Sequence, residues 1–224
     1  LCVFVGKGAP LSKHSTYYEL LDAFSHDGCP ICRLVRRSVM RSLQSLLYEN
    51  VNDVQVRERL RNAHGFCNSH AEMLHEAHDP LGVAILYHDL VGEVLAPMQR
   101  VSGERGVAGR LRRQLKSFTQ VLHGRERGGK TRCPACEAQL ESERVYLNEL
   151  LEHAVDEELQ AHWRATACIC IPHFLQALDM GKDAAALDAL VTLMAEGLSS
   201  LRDELAEAIR KSDYRFQGEE AGSE

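Results

Sequence analysis

Apolar residues recur along this chain at helical intervals, and no run alternates with the two-residue period of a half-buried strand. Thr16-Tyr17-Tyr18-Glu19 has the form of a capping box and predicts a short first helix running toward His26. Leu34, Val35, Leu43, Leu46 and Leu47 predict a second helix, from the proline after Cys29 to about Asn50. Asn52 or Asp53 can cap a third, which ends near Gly65, a residue suited to a left-handed stop. A fourth helix follows over residues 67–77. Asp79-Pro80 then opens a long apolar helix through Val83, Ile85, Leu86, Leu90, Val94 and Leu95.

Residues 101–108 read as a glycine-containing linker, and residues 109–123 as a basic amphipathic helix with Leu111, Leu115, Phe118 and Leu122 on one side. After Arg132 the plan repeats. Helices are predicted over residues 133–153, 156–166, 170–180 and 183–211, in the order of the first set. The expected fold class is therefore all-α, as two pseudo-repeated helical halves. The organisation expected is an extended segment over 1–15, a first repeat over 16–100, a basic linker with one helix over 101–132, a second repeat over 133–211, and a disordered acidic tail over 212–224.

The chemistry lies in a four-residue pattern that occurs twice. Cys29-Pro30-Ile31-Cys32 is followed by Cys67-Asn68-Ser69-His70, and Cys133-Pro134-Ala135-Cys136 by Cys170-Ile171-Pro172-His173. The inner cysteines stand 35 positions apart in the first copy and 34 in the second, so the long spacing repeats as well as the short motifs. A CPxC turn at a helix start places two sulfurs one turn apart, and the free N–H groups there favour thiolate. Cys-x-x-His on a helix presents sulfur and nitrogen on one face. Each half is expected to fold back as a hairpin that returns its Cys-x-x-His to its own CPxC, so that each half is clamped by a Cys₃His metal site of its own. Cys29, Cys32, Cys67 and His70 would form one set, and Cys133, Cys136, Cys170 and His173 the other.

Such a set suits two zinc ions per chain, and the rival is two 4Fe–4S iron–sulfur clusters with a redox or sensing role. Four protein ligands leave no open position for a catalytic water, which argues for structural metal and against an enzyme. A thiol–disulfide oxidoreductase is a third reading, although the CPxC of that chemistry belongs at the strand-to-helix turn of a βαβ unit, and helix precedes it here. Neither motif is C-x-x-C-H, as Arg33 and Glu137 follow the second cysteine. No phosphate loop, nucleophile elbow or H-E-x-x-H sequence is present, so nothing identifies a substrate.

Other candidates have plainer readings. Cys168 aligns with Gly65 and is expected as a small buried residue or a spare ligand; Cys2 is incidental. His64, His75, His78, His88, His153 and His162 have no counterpart in the other half, and most are expected at the surface. Glu72 with His75, and Glu149 with His153, read as exposed helix charge.

The chain has 224 residues, 26 Lys or Arg, 32 Asp or Glu and a formal net charge of −6. Its basic residues concentrate between Arg100 and Arg132, where ten Lys or Arg face two Glu. Arg110, Arg112, Arg113 and Lys116 form either a solvated face or a phosphate-binding patch for nucleic acid, but the acidic remainder argues against broad nucleic-acid binding. An unidentified protein partner is the expectation. Nothing reads as a membrane span or leader, and a cytoplasmic location is expected.

The motif order, with Gly65-Phe66 before the first Cys-x-x-His, resembles a bacterial family of uncharacterised proteins carrying two CPxC and two CxxH motifs, over roughly residues 16–211. The resemblance implies a duplicated α-helical metal-binding fold and carries no activity. Cys168, where the first half has Gly65, departs from the repeat.

Overall fold

The computed structural model describes residues 13–101, 132–166 and 169–212. Among them all regular structure is helical: α1 (Ser15–Phe24), α2 (Pro30–Glu49), α3 (Val54–Asn62), α4 (Asn68–Glu76), α5 (Pro80–Val101), α6 (Pro134–Glu152), α7 (Glu157–Thr166), α8 (Ile171–Met180) and α9 (Ala184–Lys211). The basic segment 109–123, the tail and the candidates Cys2 and Cys168 lie outside the described residues.

Side-chain caps fix several of these boundaries. Asp53 accepts from the Val56 N–H at 2.9 Å, Asp79 from Gly82 at 2.9 Å, Asp156 from Leu159 at 3.1 Å and Asp183 from Ala186 at 2.8 Å. Each satisfies an N–H that the first turn of a helix leaves open. At α1 the expected capping box does not form. The N-cap is His14, whose carbonyl accepts from Tyr17 at 3.1 Å, so Thr16 lies inside the first turn.

Two compact units divide the chain, and each is assembled from separated stretches. The first comprises Leu1–Leu34 with Val145–Glu224, and the second Val35–Arg144.

In the first unit α7 packs against both α1 and α9. Tyr17, Leu20, Phe24, Leu147, Leu150, Leu159, Trp163 and Leu190 are buried there. The Phe24 and Trp163 rings meet at 5.3 Å between centroids. A polar clasp holds the front of α1 to the cap of α7. The Tyr17 hydroxyl donates to Asp156 at 2.6 Å, while the Lys13 ammonium donates to that hydroxyl at 2.9 Å and to Glu158 at 2.8 Å. Burial, then the Asp156 hydrogen bond, push the Tyr17 acid well above its ordinary value. His153 and Glu149, expected on the surface, are instead 5% and 9% exposed. The His153 ring lies edge-on to Tyr17 at 4.7 Å, and its Nε2 is 3.3 Å from Glu149. Periodicity places both on the side of α6 that continues Tyr146 and Leu150, so packing outweighs their polarity. Glu72 and His75 are exposed, as expected.

By length and apolarity α9 could cross a bilayer, a test that a core helix also passes. Its Ala186, Leu190, Leu193 and Met194 are buried, whereas Leu198, Leu201, Leu205 and Ile209 are exposed.

In the second unit α3 and α4 pack on α5, with Leu60, Phe66, Leu74 and Leu86 buried. The parts of α2 and α6 in this unit run antiparallel. Ser38 and Ser142 share a hydrogen bond of 2.8 Å, while further along α2 Leu43 and Leu46 line a groove with Ala135 and Ala138 near the start of α6. Asp89 of α5 receives Arg61 of α3 at 2.8 Å.

Candidate metal centres

All four motifs sit at helix N-termini. Pro30 and Pro134 open α2 and α6, where a missing N–H costs nothing, and the carbonyls of Cys29 and Cys133 each accept the first helical bond at 3.2 Å. Cys67 and Cys170 are themselves the N-caps of α4 and α8, and their carbonyls accept from Ala71 at 2.8 Å and Phe174 at 2.9 Å. His70 and His173 follow in the first turn. Gly65 makes the approach to α4 possible, because its φ of 97° is a conformation that side chains resist. Its N–H closes on the Leu60 carbonyl at 2.8 Å and turns the chain toward Phe66 and Cys67.

The eight residues gather in two groups of four, but not the groups that the two halves suggest. Cys29 and Cys32 meet Cys170 and His173, and Cys67 and His70 meet Cys133 and Cys136; within each group the donor atoms lie within 4.8 Å of one another. Each centre therefore takes its CPxC from one stretch of sequence and its Cys-x-x-His from the other. This corrects the expectation that each half closes a clamp of its own.

Helix lengths give the reason. The 20 residues of α2 rise about 30 Å, whereas the nine of α3 return only about 14 Å. Cys67 is thus delivered part-way back along α2, near the level of Leu43. There Phe66 lines the same groove as Leu43 and Ala135, beside the start of α6 and Cys133. The 19-residue α6 is likewise followed by an α7 of only ten residues. In the first unit Cys170 meets Cys29 and Cys32 instead.

In the first centre, His173 Nδ1 stands 3.6 Å from Cys29 Sγ, 3.4 Å from Cys32 Sγ and 3.1 Å from Cys170 Sγ, and the Cys32 and Cys170 sulfurs are 3.7 Å apart. In the second, His70 Nδ1 stands 3.1 Å from Cys67, 3.8 Å from Cys133 and 3.4 Å from Cys136, with the Cys67 and Cys136 sulfurs again at 3.7 Å. None of the six cysteines is in a disulfide.

Their protons differ. Burial pushes the Cys29 thiol up, and burial together with the neighbouring Cys29 charge pushes Cys32 up to about 12. In the second centre the Cys136 hydrogen bond pulls Cys133 down to about 4, while Cys136 is pushed up in return. Protonated thiols so close together are groups that a cation would replace with charge-compensated sulfur.

The centres also differ in exposure. His70 and Cys133 of the second are buried, and neither Cys67 nor Cys136 is exposed. Cys32 of the first is exposed.

A family model of unknown function, DUF6062, matches residues 14–223, nearly the whole chain. The chain belongs to the DUF6062 family. It is also similar to an uncharacterized 23.9 kDa protein in the xynA 3' region of Caldicellulosiruptor sp. (strain Rt8B.4), with 24% identity over 203 residues that cover 88% of each chain. No solved structure matches this DUF6062 chain. Membership agrees with the resemblance to an uncharacterised family, and it brings no activity with it.

Proposed function

We propose that this DUF6062 protein is a noncatalytic, zinc-binding helical scaffold for a protein partner, in which each Cys₃His group holds one ion. The observation that carries this reading is the spacing of the donors. A tetrahedral zinc with Zn–S near 2.3 Å and Zn–N near 2.0 Å separates two sulfurs by about 3.8 Å and sulfur from nitrogen by about 3.5 Å. The sulfur pairs at 3.7 Å lie within about 0.1 Å of the first value, and the sulfur–nitrogen pairs between 3.1 and 3.8 Å bracket the second. In a 4Fe–4S cluster each ligand binds a different iron, so the donors stand around a cube and well out of mutual contact. The spacing favours a single ion.

Two helix N-termini point at each group, α2 and α8 at the first and α6 and α4 at the second, and their N–H groups stabilise the thiolates. The three sulfurs and one nitrogen fill the tetrahedron, which leaves no position for a reacting water. The metals then fasten distant stretches of chain, one across residues 32–170 and the other across 67–136. Internal duplication of the CPxC and Cys-x-x-His segments, followed by exchange of partners, accounts for this arrangement. The six cysteines of the two centres, none of them in a disulfide, fit a reducing, cytoplasmic compartment.

Metal and sulfide analysis of the full chain purified without oxygen tests the reading. Two zinc ions per chain and no inorganic sulfide are expected. A brown protein containing iron and sulfide would overturn it in favour of a cluster.

A further inference from the structure

The two centres share a ligand set but not an environment, and that difference assigns them different fates. Cys32 is exposed, and its 3.7 Å contact with Cys170 is open to solvent; the matching Cys67–Cys136 contact is part-buried, in a centre with buried Cys133 and His70. Resting on the zinc reading of the same centre, we propose that Cys32 and Cys170 are an oxidation site at which a hydroperoxide forms a disulfide and expels the first zinc, while the second zinc stays.

The step balances. With the metal bound, Cys32 is a thiolate. Its sulfur attacks one oxygen of the hydroperoxide, the O–O bond breaks, and the other oxygen leaves and takes a proton as water or alcohol. Cys32 is then a sulfenic acid. The Cys170 sulfur, already in contact, attacks the Cys32 sulfur; the S–S bond forms, the S–O bond breaks, and hydroxide leaves with a proton as water. Two thiolates lose two electrons to one hydroperoxide. Cys29 and His173 alone then face the zinc, too few protein ligands to close its tetrahedron. The resulting link joins residues 138 positions apart.

The test uses full-length protein carrying two zinc ions, limiting hydrogen peroxide, a chromophoric zinc indicator, alkylation of the remaining thiols and peptide mapping. The first zinc should leave roughly tenfold faster than the second, together with a Cys32–Cys170 disulfide. Cys67→Ser, which removes a ligand of the second centre, should keep that fast release. If this variant does not fold, the disulfide map of the wild-type protein decides. Equal release of both ions, or a first disulfide between Cys67 and Cys136, would overturn the proposal and leave the zinc reading standing. A purified chain without zinc would overturn the zinc reading itself, and this proposal with it.

Discussion

Replacing Gly65 with alanine tests how the fold delivers Cys67 to its centre. The residue has a φ of 97°, and a Cβ built there lies 3.2 Å from Leu90 Cδ1, closer than ordinary contact. Left-handed backbone costs a residue with a Cβ about 1–2 kcal/mol, and displacing Leu90 by a few tenths of an ångström adds to that. We therefore expect Gly65→Ala to destabilise by about 2 kcal/mol, a fall of roughly 4–8 °C in Tm for a chain of this size. The natural control is Gly92, exposed within α5, where an added Cβ meets nothing within 4 Å. Alanine there should stabilise by about 0.5–1 kcal/mol, because it favours the helix and restricts the unfolded chain. Calorimetry of both variants gives the comparison, and competition with a zinc chelator adds a second reading. As the turn aims Cys67, Gly65→Ala should weaken zinc at the second centre and leave the first unchanged. If Gly65→Ala melts no lower than Gly92→Ala, the turn is not the strained device described here.

Phe24→Ala removes a fully buried ring that faces Trp163, the chain's one tryptophan, and should cost about 3–5 kcal/mol in urea unfolding with a red shift in tryptophan emission; an unchanged spectrum would refute the contact. Tyr17→Phe deletes the donor to Asp156, a loss of about 1.5–3 kcal/mol at pH 7. Burial acts to raise the Asp156 acid, but the Tyr17, Leu159 and Lys13 hydrogen bonds outweigh it and hold the carboxyl below its ordinary value. The stability it confers is thus present above the unfolded value near pH 4 and is lost as pH falls through the lower folded value. The Tyr17→Phe penalty should shrink over that acid range, and urea midpoints at pH 7 and pH 3 that differ equally from wild type would count against it.

The described helices, and the eight residues that gather in two groups, were legible because each leaves a local mark. Pro30 and Pro134 start helices, Asp53 and Asp183 cap them, Gly65 ends one, and a two-residue spacing brings donors together within a turn. Partner choice between motifs has no local mark. It depends on α3 and α7 returning only half the length of α2 and α6, and on the antiparallel Ser38–Ser142 register, which are properties of assembled helices. The Lys13–Tyr17–Asp156 clasp was hidden for the same reason, since Asp156 lies 139 positions from Tyr17. His153 and Glu149 looked like surface charge because polarity is visible in sequence and burial against Tyr17 is not.

The exchange of partners between the motifs is the claim most directly open to measurement, by counting zinc in two double variants of the full chain. Cys32→Ser with Cys170→Ser damages one centre twice and should leave about one zinc per chain, whereas Cys32→Ser with Cys67→Ser damages both centres and should leave about none. The reverse result, with zinc retained only when Cys32 and Cys67 are lost together, would show that each half closes its own clamp and would contradict the account.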